Sequence, residues 1–315
     1  MRLQESQKGI VILLISILLT STYAVFNKIL LRDLDPLTLT FISQILSVVI
    51  LLSIFGGIPE WKMIHKRPAK ELIALIVVGI MSAAIAPFVF LKGLELTTAT
   101  NAVLIVKMDS IALAIISVIW LKEKITKQQV AGTLIMLIGL YIVVTKGNPM
   151  DLSFQMGDIL IFAAAIIWAM AVSVYKKYLH EITPEATVVV SNGIGAITLF
   201  FLGPFFLGTD LNFEPLVKPN VFQLLFTFTL LTIVIGQFLK TKALGLLPAS
   251  RCSMFSLMAP ILAVIYAVIF LDELLLSHHI AGGLMVIVGL LFSVLHHQKH
   301  PHHEKHVKIS HLGQH

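Results

Sequence analysis

The sequence predicts an all-α integral membrane protein, with ten transmembrane helices arranged as two inverted five-helix repeats around a central cavity. Three observations carry that expectation. The 315 residues are 57% hydrophobic and only 13% charged, too little charge to cover the surface of a soluble protein of this size. The charges fall in short clusters between apolar stretches near the ~20 residues that a helix needs to cross a bilayer. The chain also repeats itself: residues 92–140, moved forward by 150 positions, land without a gap on 242–290.

The expected spans are 9–31, 36–55, 71–91, 97–121, 128–146, 157–179, 185–207, 221–241, 247–270 and 277–295. The first follows Arg2 and Lys8 and is longer than the ~7–15 apolar residues of a signal-peptide core. With nine spans after it, it reads as a retained helix. Most connections are short, so successive helices run antiparallel. The longer ones, 56–70 and 208–220, contain the Pro, Gly or polar residues of loops. The halves are thus 9–146 and 157–295, followed by a tail, 296–315, expected to be disordered.

The repeat is legible residue by residue. Under the shift of 150, Lys92 meets Lys242, Leu121 and Glu123 meet Leu271 and Glu273, Gly132 meets Gly282, and Gly139 meets Gly289. Under a shift of 148, Gly9 meets Gly157, Lys28 meets Lys176, Pro36 meets Pro184 and Ser43 meets Ser191. Each half holds five spans, an odd number, so the second copy must sit upside down relative to the first. Inverted repeats are the architecture of secondary transporters, whose substrate site lies at the repeat interface near the midplane.

Charge gives orientation. Of the 23 Lys and Arg, only Lys28, Arg32, Lys92, Lys146 and Lys218 fall on the side opposite the N-terminus, and Lys107 lies inside a span. The positive-inside rule therefore places both termini in the cytoplasm and the chain in the plasma or inner membrane. The same rule accounts for the net charge of +6, so no nucleic-acid partner is implied. One cysteine, Cys252, excludes an internal disulfide and a zinc site built from Cys.

At this point the chain resembles the drug/metabolite transporter superfamily, specifically the ten-helix EamA-type permeases with two EamA repeats. The matching residues in the second half are Gly157, Asp158, Trp168, Ala169, Lys176, Lys177, Pro184, 243–250, Pro260, 271–273, 281–283 and Gly289. In the first half they are Lys28, Asp35, Pro36, Gly93, Leu94, 121–123, Gly132 and Gly139. The resemblance implies a helical bundle around a central cavity, alternating access, and export of amino acids, metabolites or drugs. The first half departs from the pattern twice. Thr20 stands where the second half has Trp168, and Asp109 and Ser110 stand where it has Ala259 and Pro260, so no proline kink is expected in the fourth span.

Lys107 and Asp109 are the sharpest candidates for a site. Both lie ten or more residues from either end of their span. A charge at that depth costs about 2.5–3.5 kcal/mol on insertion scales, so it must face a cavity or a partner. Two residues apart on a helix, at roughly 100° per residue, they point about 200° apart. Thr100, Lys107 and Ser110 share a face, which puts Lys107 on the polar stripe, able to bind an anionic group such as a carboxylate. Asp109 is then a candidate proton carrier, since desolvation raises carboxyl groups toward the working range. The competing reading is a pair of interhelical ion pairs that only fix packing.

Further substrate- or ion-binding candidates are polar residues inside apolar spans: Tyr23 and Asn27 on one face of the first, Gln44 on the second, Trp168 and Tyr175 on one face of the sixth, Asn192 on the seventh and Gln237 on the eighth. Gln44 and Asn192 are repeat partners. The alternative for each is an interhelical hydrogen bond. Lys28 and Lys176 are expected to snorkel to opposite interfaces. Glu123 and Glu273 are expected to cap helix starts or pair with nearby Lys. The tail holds His302, His303 and His306, a weak candidate for metal binding.

No Walker A, G-x-S-x-G or H-E-x-x-H pattern is present, and the histidines are read as lying outside the spans, so no enzyme is expected. No cofactor is expected either. The function expected is secondary active transport: a proton-coupled exporter of amino acids or other small metabolites or drugs. An importer or exchanger of the same solutes, and a metal-linked transporter using the His-rich tail, are the alternatives. The expected partners are a small-molecule substrate, the lipid bilayer and protons, with a homodimer possible.

Overall fold

The structure is a computed structural model that describes residues 2–55, 67–120, 127–147, 155–179, 182, 184–203, 210–246, 255 and 258–295. The described residues are helical throughout, joined by short turns, with a single 3-10 turn at Glu214–Val217. The His-rich tail, with His302, His303 and His306, and Glu123 and Cys252 lie outside the described residues.

In chain order the helices are α1 (Arg2–Thr20), α2 (Tyr23–Leu30), α3 (Pro36–Phe55), α4 (Ala69–Val78), α5 (Ala86–Leu96), α6 (Ala99–Ile105), α7 (Met108–Ile119), α8 (Lys127–Val144), α9 (Met156–Tyr178), α10 (Pro184–Leu202), α11 (Pro219–Phe228), α12 (Gln237–Leu246), α13 (Met258–Leu271) and α14 (Ser277–Leu295). Two π-helical stretches, Gly79–Ile85 and Thr229–Gly236, join α4 to α5 and α11 to α12 into continuous rods. Among the described residues, five stretches are long and apolar enough to cross a membrane: Gln7–Leu30, Pro36–Ile54, Ala69–Leu96, Met156–Tyr178 and Pro219–Lys240. Val130–Val144, Ala186–Leu202, Met258–Leu271 and Ser277–Phe292 are shorter apolar helices.

Large apolar side chains face outward all around the bundle, among them Ile73, Ile197 and Ile269, each more than 60% exposed. Small and polar side chains turn inward: Ser16, Ser47, Thr100, Ser173 and Thr229 are all 1% exposed or less. This distribution suits lipid outside and helix-to-helix contact inside.

Two spans are broken for different reasons. At the α1–α2 junction, three successive hydroxyls bond back to the preceding turn: Thr20 to the Ser16 carbonyl, Ser21 to that of Ile17 and Thr22 to that of Leu19. Such back-bonding competes with the helix ladder. The fourth span breaks at Val106–Lys107, between α6 and α7. Here the backbone switches to three-residue bonds, with Lys107 N–H on Leu104 O at 3.3 Å and Asp109 N–H on Val106 O at 3.0 Å. This corrects the expectation of an unbroken fourth span: the interruption needs no proline. The π-helical stretches obey the repeat shift of 150, starting at Gly79 and Thr229.

Glycines set the closest helix contacts. A Cβ on Gly139 would lie 2.6 Å from the Gly282 carbonyl oxygen, and one on Gly289 would lie 2.5 Å from that of Gly132. Helices α8 and α14 therefore touch backbone to backbone, antiparallel, with 132 opposite 289 and 139 opposite 282. Gly93 and Gly157 make the equivalent approach between α5 and α9, each Cβ position 2.8 Å from the other's carbonyl oxygen.

Candidate functional site

A cavity of about 160 Å³ lies in the middle of the bundle. The first span contributes Thr20, Ser21, Tyr23 and Ala24, and the third Phe90. The fourth gives Val103, Val106 and Lys107, the sixth Trp168, and α13 Ala259, Pro260 and Ala263. Both sequence halves therefore wall it, and both broken spans open onto it.

The break at Val106–Lys107 is what delivers Lys107. The backbone turns there, and Lys107 sits as the residue preceding α7. Its half-buried side chain reaches the cavity, and among the described residues no carboxylate forms an ion pair with it. Aromatic rings line the rest. Tyr23 and Phe90 stand 5.7 Å apart between centroids, and Phe90 and Trp168 stand 5.6 Å apart. Phe228 backs Tyr23 at 5.6 Å. Trp168 is fixed by its Nε1–H, which donates to the Ser82 carbonyl at 3.3 Å. Ser82 lies in a π-helical stretch, whose wider turns release carbonyls from the regular ladder.

Chemically, this is a small pocket with one cation and aromatic faces. It suits a compact solute that carries an anionic group on an apolar body.

The other sequence candidates divide. Tyr23, Lys107 and Trp168 come together at the cavity. Asp109 does not line it; Ser110 Oγ donates to its carboxylate at 3.1 Å, away from Lys107. Thr100 is fully buried and gives both its N–H and its hydroxyl to Glu273. The shared face of Thr100, Lys107 and Ser110 is thus lost, because the break resets the helical phase between them. Asn27 donates to the Tyr23 carbonyl at 2.8 Å. Gln44 Nε2 donates to the Ala83 carbonyl at 2.9 Å, and Asn192 Nδ2 to Ser47 Oγ at 2.8 Å. These two repeat partners fasten α3 to the π-helical stretch and to α10. Tyr175 packs beside the cluster of Ala74, Leu75 and Val78, and Gln237 is exposed at the start of α12.

Lys28 Nζ donates to the carbonyls of Leu94 and Thr97, closing the C-terminal end of α5. Glu273 caps a helix start as expected, but the helix belongs to the other half. Its oxygens accept from Ala99 N–H at 2.6 Å, Thr100 N–H at 2.9 Å and Thr100 Oγ1 at 2.7 Å. The reading that histidines lie outside the spans fails at His279. It is 7% exposed in the first turn of α14 and bonds Asn101 at 3.0 Å. Sequence offered one signal for it, a histidine at the very start of an apolar stretch, which is easily read as interfacial.

Fold and site together define a polytopic helical membrane protein with a central cavity walled by both halves of the chain. The chain belongs to the EamA-like transporter family, which matches residues 7–145 and 155–295. It is a transporter of that type. Similar proteins include an uncharacterized transporter of Synechocystis sp., 26% identical over 263 residues, covering 81% of this chain and 74% of that protein. Another is an uncharacterized transporter of Archaeoglobus fulgidus, 24% identical, covering 90% of this chain and 96% of that one. A probable amino-acid metabolite efflux pump of Salmonella typhimurium is 25% identical over 55% of this chain and 59% of its own length. A solved crystal structure covers 93% of this chain and 98% of its own with a TM-score of 0.65 at 16% identity, a likeness of fold.

Proposed function

We propose that the protein is a secondary active transporter that exports small solutes bearing an anionic group, amino acids or similar metabolites, in exchange for protons. It works by alternating access across the plasma or inner membrane. Ten spans in two inverted repeats, with both termini cytoplasmic, form the frame of this reading. The antiparallel Gly132–Gly289 and Gly139–Gly282 contacts support it. Residues 132 and 139 become 282 and 289 under the repeat shift, so a two-fold axis across the helices exchanges the two contacts. Such an axis turns one half upside down onto the other.

The observation that carries the reading is Lys107, without an ion pair among the described residues, at a helix break in an aromatic cavity walled by both halves. An uncompensated cation inside the bilayer is costly and marks a substrate path. The amino-acid metabolite efflux pump among the similar proteins favours amino-acid-like substrates.

The test is metabolite profiling of medium and cells that express the chain or Lys107→Met at matched membrane levels. Export of a class of small anions or zwitterions by the unaltered chain alone is expected. Identical profiles for the two would remove Lys107 from the site.

A further inference from the structure

The end of the bundle where α5 finishes and α6, α9 and α14 begin holds a continuous hydrogen-bonded chain of buried polar side chains. His279 Nε2 lies 3.0 Å from Asn101 Oδ1. Asn101 Nδ2 lies 3.4 Å from Thr97 Oγ1, and Thr97 Oγ1 lies 2.6 Å from Asp158 Oδ1. All four residues are between 4% and 7% exposed. The Leu276 N–H donates to His279 Nδ1 at 3.3 Å.

Those partners fix the direction of every proton. Nδ1 accepts, so the ring is neutral with its hydrogen on Nε2, which donates to Asn101. Asn101 then donates through its amide to Thr97, and the Thr97 hydroxyl donates to the Asp158 carboxylate. The chain closes without a conflict only while His279 is neutral. We propose that His279 is the coupling-proton site and that its protonation opens this end of the bundle by releasing the Thr97–Asn101 turn.

Protonation places a hydrogen on Nδ1, facing the Leu276 N–H, so two donors meet head-on. It also places a cation in the first turn of α14, where the helix dipole opposes positive charge. The His278 ring stands 4.2 Å away. The other charged groups around the site are Glu273 beside His279, and Lys146 beside both His278 and Asp158. The Glu273 carboxylate and the Leu274 carbonyl both gain from a charged His279. Glu273 is also the clasp on the same turn, through Ala99 and Thr100. A charged imidazole therefore draws on the second clasp, Glu273, and loosens the first: turning Nδ1–H from the Leu276 N–H toward the Leu274 carbonyl swings Nε2 off Asn101. Lys28, on the Thr97 carbonyl and beside Glu273, remains as the third. Acid opens the turn and base closes it.

The consequence for transport rests on the exporter reading. With this end facing away from the cytoplasm, an external proton opens the cavity outward, the solute leaves, and the proton is carried in on return. The latch itself is testable without any substrate.

Amide hydrogen exchange over residues 97–105 is measured on the full chain in lipid nanodiscs at about pH 8 and pH 5.5, a range that brackets histidine titration. Labelling times are scaled to equal intrinsic chemistry. The unaltered chain is expected to show at least about tenfold more opening at the lower pH, one unit of differential proton affinity. His279→Gln keeps a donor for Asn101, and His279→Asn keeps an acceptor for Leu276 N–H. Neither titrates, so neither should respond to pH. Equal protection at both pH values in the unaltered chain, or an unchanged pH response in both variants, overturns the latch. Absence of any export by the unaltered chain with the pH response intact would instead remove the exporter reading and leave the latch standing.

Discussion

Glu273 reaches from the second half of the chain to Thr100 in the first, accepting that residue's backbone N–H at 2.9 Å and its hydroxyl at 2.7 Å. A carboxylate at the start of a helix satisfies free N–H groups and complements the dipole. Because the helix belongs to the opposite half, the cap is also a tie between halves.

Replacing Glu273 with Ala should therefore cost about 1.5–3 kcal/mol, as for other hydrogen bonds to charged groups. Glu273→Gln, which keeps an acceptor oxygen, should lose less. Thermal unfolding in nanodiscs measures both. Equal, negligible effects would show that the cap carries no stability.

The glycine contacts predict opposite signs at two positions. Gly139→Val drives a side chain into the Gly282 backbone and should destabilise by at least ~1–3 kcal/mol. At Gly193, added atoms meet nothing within 4 Å, so Gly193→Ala should be neutral or stabilise by up to ~1 kcal/mol through helix propensity. The same unfolding assay separates the two.

Lys107→Met should lower solute export by roughly 10- to 100-fold, the equivalent of losing one charge-assisted contact of about 1.5–3 kcal/mol. Stability should not fall, since a costly intramembrane charge is removed. A large drop in melting temperature would point to a structural partner for Lys107.

Trp168→Phe keeps an aromatic wall beside Phe90 but loses the bond to the Ser82 carbonyl. The expected cost in stability is about 0.6 kcal/mol, the average for such bonds inside a membrane. Trp168→Ala should in addition weaken solute binding, read as a rise in the concentration needed for half-maximal transport. Equal transport by both variants would take Trp168 out of the cavity wall's function.

The bundle was legible because lipid imposes a simple code: apolar stretches of fixed length, punctuated by charge. The repeat was legible because glycines at helix contacts tolerate no other residue, and so Gly132, Gly139, Gly282 and Gly289 stayed recognisable in both copies. The site was legible only in part. Lys107 stood out by the cost of its charge, whereas the shared face of Thr100, Lys107 and Ser110 assumed a straight helix. The change to three-residue backbone bonds at Val106–Lys107 undid that face, leaving Thr100 on Glu273 and Ser110 on Asp109. His279 gave little sign in sequence, since its partners Asn101, Thr97 and Asp158 are 121 to 182 positions away.

Sequence alone thus determined that this chain is a helical membrane protein of two related halves with a buried lysine, because hydropathy and repetition are one-dimensional properties. Only the tertiary structure decided which polar groups meet. Helix breaks, π-helical stretches and caps that cross between halves depend on packing between residues far apart in the chain. Packing joined Lys107 to Tyr23 and Trp168, Glu273 to Thr100, and His279 to Asp158.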